Sequence, residues 1–471
     1  MVAAPLSRSR MLRSAPGASM STRARARVDH IGRHSPARLA LTVFTLVIGV
    51  VTGLLSLPLA TTDGQRAPLV DALFTAVSAV CVTGLITVDT DAYWSGFGEA
   101  VILAAIKVGG LGVITLAALL GLAVSRQLGL TGRLLAATET KAQRLGEVGT
   151  LLRVVIGTSL AIEAVLTAVL LPRFLTRGES LADSAWHALF YAVSSFNNAG
   201  FASHPQGLPA GAVGDWWLCA PIAIGVFLGS VGFPVLVAVG RDWRHPRRWG
   251  LHAQLTLTAT TVLTLASVVI FGAFEWGNRA TLGGLGLGDR VLATLFTAVM
   301  PRSGGFSTLD VNEMSGATLL ATDALMFVGG GSASTAGGIK VTTLAVLFLA
   351  VVAEARGNQD VEAFGRRIPP ATLRLAVTVL LAGATLVLVA TLALQVITDE
   401  PLDRVLFEVI SAFATCGLST GLSAELPDAG KYVVAALMFM GRTGTMTLAA
   451  ALALRERPRL FRLAEERPIV G

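Results

Sequence analysis

The sequence predicts an all-α polytopic membrane protein, built from four similar helix–loop–helix units with eight transmembrane helices and four shorter re-entrant helices. Hydrophobic residues make up 53% of the 471 positions and charged residues only 14%, whereas soluble domains carry about 25% charged residues. Eight apolar spans are long enough to cross a bilayer, which takes about 20 residues of helix. They lie near residues 39–60, 99–124, 154–171, 216–240, 252–274, 314–353, 375–398 and 432–454.

The distribution of Lys and Arg predicts that both termini lie in the cytoplasm. With spans alternating between sides, 26 of the 37 basic residues fall on the side of the termini, seven on the other side, and four within or beside apolar segments. The positive-inside rule assigns the basic side to the cytoplasm. The net charge of +7 is therefore explained by the basic residues that set the orientation in the membrane, and no nucleic-acid partner is expected. Residues 1–37 are interpreted as a disordered basic cytoplasmic tail, with an organelle transit peptide as the alternative.

Each of the four outward connections contains a second apolar segment that is too short to cross the membrane. Every one begins with Leu-Phe and reaches a glycine nine or ten residues after the Phe, and successive glycines are 116, 105 and 112 residues apart. Glycine is abundant here and also serves as a packing surface between membrane helices, but four matched offsets on one side favour a shared role. The segments read LFTAVSAVCVTGLIT (73–87), LFYAVSSFNNAGFAS (189–203), LFTAVMPRSGGFST (295–308) and LFEVISAFATCGLST (406–420).

Four such loops predict a central ion pore. Non-helical backbone at membrane depth is stable only where protein or a water-filled cavity satisfies its polar groups. Four loops around one axis would surround that axis with backbone carbonyls, which is how a potassium filter replaces the water shell of the ion. The short helices would also direct their negative C-terminal ends towards the axis, which favours a cation.

These motifs resemble the Trk/Ktr/HKT superfamily of cation transporters over nearly the whole chain, from about residue 39 to 454. Eight spans without a further N-terminal pair are most similar to the membrane subunit of Ktr potassium-uptake systems. The resemblance implies four pore repeats at 38–126, 148–240, 251–354 and 370–454, with a cytoplasmic tail at 455–471. The matching motifs are VTGL (82–85), GGLG (109–112), NNAGF (197–201), RSGGFST (302–308), STAGGIKVTT (334–343), TCGLSTG (415–421) and MFMGRTG (438–444).

The resemblance further implies a potassium-binding selectivity filter formed by three residues in each loop. Relatives of the plant type with serine at the first filter glycine tend towards sodium, whereas all four positions are glycine here, which favours potassium. No cofactor is expected in this chain beyond K⁺ as the transported ion. The implied filter residues are Val82, Thr83, Gly84, Asn198, Ala199, Gly200, Ser303, Gly304, Gly305, Thr415, Cys416 and Gly417.

The sixth span contains a break. Its 40 residues would form a helix of roughly 60 Å, about twice the thickness of the hydrocarbon core, and it is interrupted by a Gly/Ser-rich stretch. A phosphate-binding P-loop is excluded because Lys must directly follow the last glycine, whereas Ile339 intervenes here. The resemblance implies an intramembrane gate below the filter. Its residues are Gly329, Gly330, Gly331, Ser332, Ser334, Thr335, Gly337, Gly338, Lys340 and Arg442.

Charged residues within the spans need separate explanations, because a charge at membrane depth is costly. The resemblance implies that Arg442 is an electrostatic barrier in the pathway, while Lys340 either belongs to the gate or reaches the cytoplasmic interface. Glu408 is expected to be a hydrogen-bond brace. Lys107 departs from relatives, which usually carry an uncharged polar residue there.

The resemblance also implies partners. We expect a homodimer in the bilayer of a bacterial cell membrane, on a cytoplasmic ring of nucleotide-binding RCK-type subunits (similar to KtrA or TrkA) that respond to ATP and ADP. The basic loops at 241–248 and 356–374 are candidate docking surfaces. Alternatives are a Na⁺-permeable pore or a transporter coupled to H⁺ or Na⁺, for which Glu163 and Asp323 are the candidate residues. A membrane enzyme is not expected, because it would need clustered Asp, Glu or His residues facing one cavity, whereas the six histidines are scattered over both predicted sides of the membrane.

Overall fold

The computed structural model describes residues 36–127, 145–205 and 207–444. The predicted tails, and residues 445–454 of the last repeat, therefore lie almost wholly outside the described residues. The described part is overwhelmingly helical, and the predicted all-helical architecture is confirmed.

Every predicted span falls on a helix or on a pair of helices, and four shorter helices lie between them. The spans correspond to α1 (Pro36–Leu55), α3 (Gly96–Gln127), α4 (Leu145–Thr176), α6 (Trp216–Val231) with α7 (Phe233–Asp242), α8 (Leu251–Glu275), α10 (Gly316–Phe327) with α11 (Val341–Ala355), α12 (Pro370–Ile397), and α14 (Asp428–Phe439) with a π-helical turn at Met440–Gly444. The shorter helices are α2 (Leu69–Cys81), α5 (Leu181–Phe196), α9 (Leu287–Val299) and α13 (Leu402–Ala414).

Among the described residues, three helical segments are long and apolar enough to cross a membrane individually: Arg153–Thr176, Leu251–Glu275 and Pro370–Ile397. The α6–α7 pair passes the same criterion together, but it bends by 100°. The expectation of one continuous span at 216–240 is therefore wrong. The physical reason lies in the sequence Gly232-Phe233-Pro234: Gly232 leaves the helix with φ +96°, and a proline within the first two positions is compatible with the start of a new helix.

The helices pack in a cyclic order that brings the four short helices to the centre. Each short helix packs against the second span of the preceding unit: α5 against α3, α9 against α6, and α13 against α10. The order closes on itself, because α2 of the first unit packs against α14 of the fourth. An ion pair between Asp71 and Lys431, with Oδ1 and Nζ 2.8 Å apart, joins these two helices.

One small sheet departs from the all-helical prediction. Strands β1 (Val361–Ala363) and β2 (Arg366–Ile368) form an antiparallel hairpin in the basic loop between α11 and α12. Phe364 and Gly365 connect them with φ values of +53° and +71°, the left-handed pair that a tight two-residue hairpin needs.

Candidate ion-conduction site

The four glycines at the ends of the short helices meet in one closed ring. A Cβ atom added to Gly200 would lie 2.8 Å from Cα of Gly305, and one added to Gly305 would lie 3.3 Å from Cα of Gly417. A Cβ on Gly417 would lie 3.2 Å from Cα of Gly84, and one on Gly84 would lie 3.1 Å from Cα of Gly200. A side chain at any of the four would therefore displace the neighbouring loop.

The four loops also share one backbone conformation. Each glycine has positive φ, and so does the residue two positions before it. Left-handed backbone is uncommon for residues other than glycine, and it is a true outlier for β-branched ones such as Val82 and Thr415. Such strain concentrates at functional sites. The φ values are +56° at Val82, +58° at Asn198, +71° at Ser303 and +46° at Thr415, and they are +92°, +69°, +72° and +94° at the glycines that follow.

The loops direct their N–H groups back towards the short helices. In three loops, the residue before the glycine donates its N–H to the serine carbonyl five positions earlier. In the third loop, Gly304 donates instead to the carbonyl of Met300 at 2.8 Å, because that segment is one residue shorter. The three serine bonds are Thr83 to Ser78 (2.8 Å), Ala199 to Ser194 (2.8 Å) and Cys416 to Ser411 (2.9 Å).

Most carbonyl groups of the loops are left without protein partners. Within the part of the chain that the structure describes, the carbonyl of Thr415 is the one among the twelve filter positions that accepts a hydrogen bond, from Oγ of Ser303 at 2.6 Å. Backbone carbonyls deep in a protein are nearly always paired. A ring of unpartnered carbonyls is therefore able to coordinate a dehydrated cation.

The Gly/Ser-rich break in the sixth span lies against this ring. Thr335 donates from Oγ1 to Oδ1 of Asn198 at 3.0 Å, and the N–H of Gly337 donates to Oγ of Ser303 at 3.3 Å. On its other side, the N–H of Gly331 donates to the carbonyl of Ser230 at the end of α6, at 2.7 Å. The loop at 329–338 thus bridges the second and third filter segments and the bend between α6 and α7.

Two cations hold this loop. Arg442, in the π-helical turn, donates from Nη1 to the carbonyl of Thr335. Lys340 donates from Nζ to the carbonyl of Ala336 at 2.6 Å, so its ammonium group is turned back to the loop. Nε and Nη2 of Arg442 are buried and have no hydrogen-bond partner among the described residues. The positive charges of Arg442 and Lys340 therefore both lie beside the loop at 329–338, which interrupts the sixth span.

Lys107 has a specific partner in the next span. Its Nζ lies 2.6 Å from both carboxylate oxygens of Glu163 and 2.7 Å from Oγ of Ser159. Glu163 also accepts from Nδ2 of Asn197 at 2.9 Å. The lysine therefore neutralises a buried carboxylate that orients the residue next to filter position Asn198.

Glu408 and Arg302 brace the third and fourth loops. Glu408 accepts from Oγ of Ser419 at 2.9 Å and from the N–H and hydroxyl of Ser423, which is the brace expected from the sequence. Arg302 is fully buried and donates from Nη1 to the carbonyl of Val328 at 2.8 Å. It thereby ties the third filter loop to the residue before the break in the sixth span, a role that the sequence did not reveal.

Three further glycines were not singled out individually as structural positions by the sequence. Each lies on a spanning segment and packs against the C-terminal end of a short helix. A Cβ atom there would overlap the backbone carbonyl of the residue four positions before a loop glycine. The signal was the recurrence of a glycine 24 to 29 residues after the filter glycine. The pairs are Gly109 with Val80, Gly229 with Phe196 and Gly441 with Phe413.

The histidines are not all isolated, contrary to expectation. The rings of His187 and His204 have centroids 4.2 Å apart, and Glu179 lies beside both. The sequence could not show this, because His187 precedes the second filter loop and His204 follows it. The fold of that loop brings them together.

Comparisons with known proteins agree with this geometry. The family described as "TrkH: Cation transport protein" matches residues 33–463. The chain belongs to this family. The TrkH family is one of transporters, so the chain is a multi-pass membrane transport protein.

Several TrkH-family relatives are similar along nearly their whole length. The Ktr system potassium uptake protein B of Bacillus subtilis (strain 168) is 37% identical over 90% of this chain and 94% of its own. The protein of the same name from Vibrio alginolyticus is 34% identical over 92% and 94%. The potassium/sodium uptake protein NtpJ of Enterococcus hirae is 33% identical over 90% and 94%.

A solved structure shares the fold. The potassium transporter TrkH from Vibrio parahaemolyticus superposes with a TM-score of 0.70 at 17% identity, covering 88% of this chain and 83% of that one.

Proposed function

We propose that this chain is the pore-forming membrane subunit of a potassium-uptake system in a bacterial cell membrane, with both termini in the cytoplasm. The observation that carries the proposal is the ring of four glycine loops, in which eleven of the twelve carbonyls have no protein partner among the described residues. The three relatives are named potassium or potassium/sodium uptake proteins, which supports the same ion.

Conduction is passive in this proposal. Potassium exchanges its water shell for the filter carbonyls, and the negative C-terminal ends of α2, α5, α9 and α13 favour a cation at the same place. The ion then waits below the filter until the loop at 329–338 moves. Arg442 and Lys340 contribute positive charge to this closed gate.

A transporter coupled to H⁺ or Na⁺ is the competing function. It needs a titratable or ion-binding group in the pathway. Glu163 is a weak candidate because its charge is compensated by Lys107 at 2.6 Å. Asp323 is the stronger one, since it is buried and its Oδ1 lacks a hydrogen-bond partner among the described residues.

The proposal includes partners. The Ktr relatives are named as parts of a system, which supports assembly with a cytoplasmic RCK-type nucleotide-binding ring that responds to ATP and ADP, and a homodimer of this chain. The β1–β2 hairpin offers a defined basic surface for docking. Arg367 on β2 is 62% exposed and pairs with Asp360.

Complementation of a bacterial strain that lacks its own potassium uptake tests this function in cells. We expect the chain, co-expressed with a Ktr-type nucleotide-binding subunit, to restore growth at low external potassium. A variant with Gly200→Val, which fills the glycine ring, is the matched control and should not restore growth. Failure of the unaltered chain at normal membrane levels would contradict the proposal.

A further inference from the structure

Glu179, His187 and His204 form a compact cluster beside the second filter loop, and the conduction mechanism does not use them. One ligand atom from each lies within 4.8 Å of the others. Nε2 of His204 is 3.3 Å from Oε1 of Glu179, and Nε2 of His187 is 3.9 Å from Oε2. Ligands about 2.0–2.2 Å from a tetrahedral metal lie roughly 3.3 Å apart, so the three ligand atoms would have to move closer by up to about 1.5 Å to bind a metal.

Hydroxyl groups fix the orientation of both rings. Tyr191 donates its hydroxyl hydrogen to the carbonyl of Gly207 at 3.1 Å, so its oxygen accepts from Nδ1–H of His204 at 3.1 Å. Nδ1 of His187 lies 2.9 Å from Oγ of Ser203. Metal-binding histidines are held in this way, with the second nitrogen hydrogen-bonded and the first free to bind.

Two hydrogen-bond acceptors, Nε2 of His204 and a carboxylate oxygen of Glu179, face each other in this cluster. With its proton on Nδ1, His204 faces the carboxylate oxygen of Glu179 with a bare Nε2. Oε2 of Glu179 is buried and has no hydrogen-bond partner among the described residues. Two acceptors in contact need a cation or a proton between them.

We propose that Glu179, His187 and His204 form a site for a transition-metal cation such as Zn²⁺, on the side of the membrane where the filter loops open. Two imidazoles and one carboxylate suit zinc, with water as a fourth ligand. Magnesium and calcium prefer sites made wholly of oxygen ligands.

The site is accessible from solvent. The three side chains are 16–20% exposed. His187 also lines an open cavity whose wall includes Asp91, Glu99 and Asp183, and negatively charged groups that line a cleft raise the local concentration of cations.

The site is connected to the filter. Tyr191, which holds His204, has its ring centroid 6.1 Å from that of Phe306, the residue after filter glycine Gly305. A metal that fixes His204 therefore restrains the third loop, and external Zn²⁺ should reduce flux. This consequence rests on the proposed function, whereas metal binding itself does not.

Binding is tested on the full-length protein in detergent after removal of metals. We expect one Zn²⁺ per chain by titration calorimetry, and Co²⁺ should give the intense visible absorption of a tetrahedral complex. Glu179→Gln and His204→Ala should each weaken Zn²⁺ binding by at least tenfold. His204→Cys, which keeps a ligand atom, should retain Zn²⁺ binding. This result would show that the loss in His204→Ala does not come from misfolding.

Two further variants separate a metal site from a packing role. Tyr191→Phe removes only a hydroxyl that orients His204 and should weaken Zn²⁺ binding about tenfold, the usual effect of outer partners. His245→Ala alters an exposed histidine outside the cluster and should leave Zn²⁺ binding by the isolated chain unchanged. Absence of Co²⁺ absorption, or binding unaffected by Glu179→Gln, would overturn the site and leave a proton as the occupant. Zn²⁺ binding without any effect on Rb⁺ flux would keep the site but refute its connection to the filter.

Discussion

Val82 and Thr415 adopt left-handed backbone conformations although both are β-branched. Each strained conformation costs on the order of 1–3 kcal/mol and persists only where its surroundings enforce it. Here the glycine ring provides that enforcement, since each glycine lies against the next loop. The strain maintains the loop shape that leaves the carbonyls unpartnered.

Gly84→Ser tests this at one position. Gly84 has φ +92°, and a Cβ there would overlap the carbonyl oxygen of Ala199. Serine must displace that carbonyl, so we expect K⁺ over Na⁺ selectivity to fall about tenfold, equivalent to about 1.4 kcal/mol. Competition of K⁺ and Na⁺ against Rb⁺ uptake measures it. Gly49→Ser, on an exposed face of α1 with no atom nearby, is the control; unaltered selectivity in Gly84→Ser would mean that the filter is misplaced.

The Lys107–Glu163 pair makes a second prediction. Removing one partner of a buried pair leaves an uncompensated charge, so Lys107→Met should lower the free energy of unfolding by on the order of 3 kcal/mol. Lys107→Met with Glu163→Gln should recover most of that loss. Thermal unfolding in detergent measures both. Equal stability of the single and double variants would show that the pair does not act as a unit.

Individual residues differ in how far sequence alone specified them. The grouping of the four loop glycines was predictable because they recur along the chain at similar spacing. The partner of Lys107 was not, because Glu163 lies 56 positions later and only the packing of α3 on α4 brings them together. The His187–His204 contact likewise depends on how the second loop returns.

Among the structural elements, the broken sixth span is the proposed moving part. Its loop is held by hydrogen bonds to Asn198 and Ser303 and by the two cations. The loop connects α10 to α11. Helix α10 packs against α13, and α11 packs against α12. Movement of the loop therefore does not require these helices to separate from their neighbours.

Deletion of residues 329–338 should raise Rb⁺ flux severalfold without changing K⁺ over Na⁺ preference, because the barrier is removed while the filter glycines remain. Arg442→Gln should raise flux in the same direction, since it removes a charge and the contact with Thr335. Arg66→Gln, an exposed change in the loop between α1 and α2, is the control. Unchanged flux in both loop and arginine variants would refute the gate.

The sequence predicted most of the helices, but it did not predict the bend between α6 and α7. Hydropathy predicted eight spans, which fall on helices or helix pairs in the described residues, and the excess length of the sixth span predicted its break. The 100° turn at Gly232 was missed, because the total length of 216–240 suits a single span. The β1–β2 hairpin was missed because its strands are only three residues each.

At the scale of the whole molecule, the cyclic packing explains how one chain brings four similar loops together in one ring of glycines. Each short helix relies on the preceding unit, and the Asp71–Lys431 pair joins the first and last units. The repeat spacing allowed this architecture to be predicted. The order of the units around the ring, and the residues that join neighbouring units, could be identified only from tertiary contacts.

The measurement that tests the central claim most directly is Rb⁺ flux into proteoliposomes that contain only this chain, at a clamped membrane potential, with and without a proton gradient. We predict uptake that follows the electrical gradient, is blocked far better by K⁺ than by Na⁺, and is the same with Asp323→Asn. Uphill uptake driven by the proton gradient and abolished by Asp323→Asn would contradict the account and make the protein a coupled transporter.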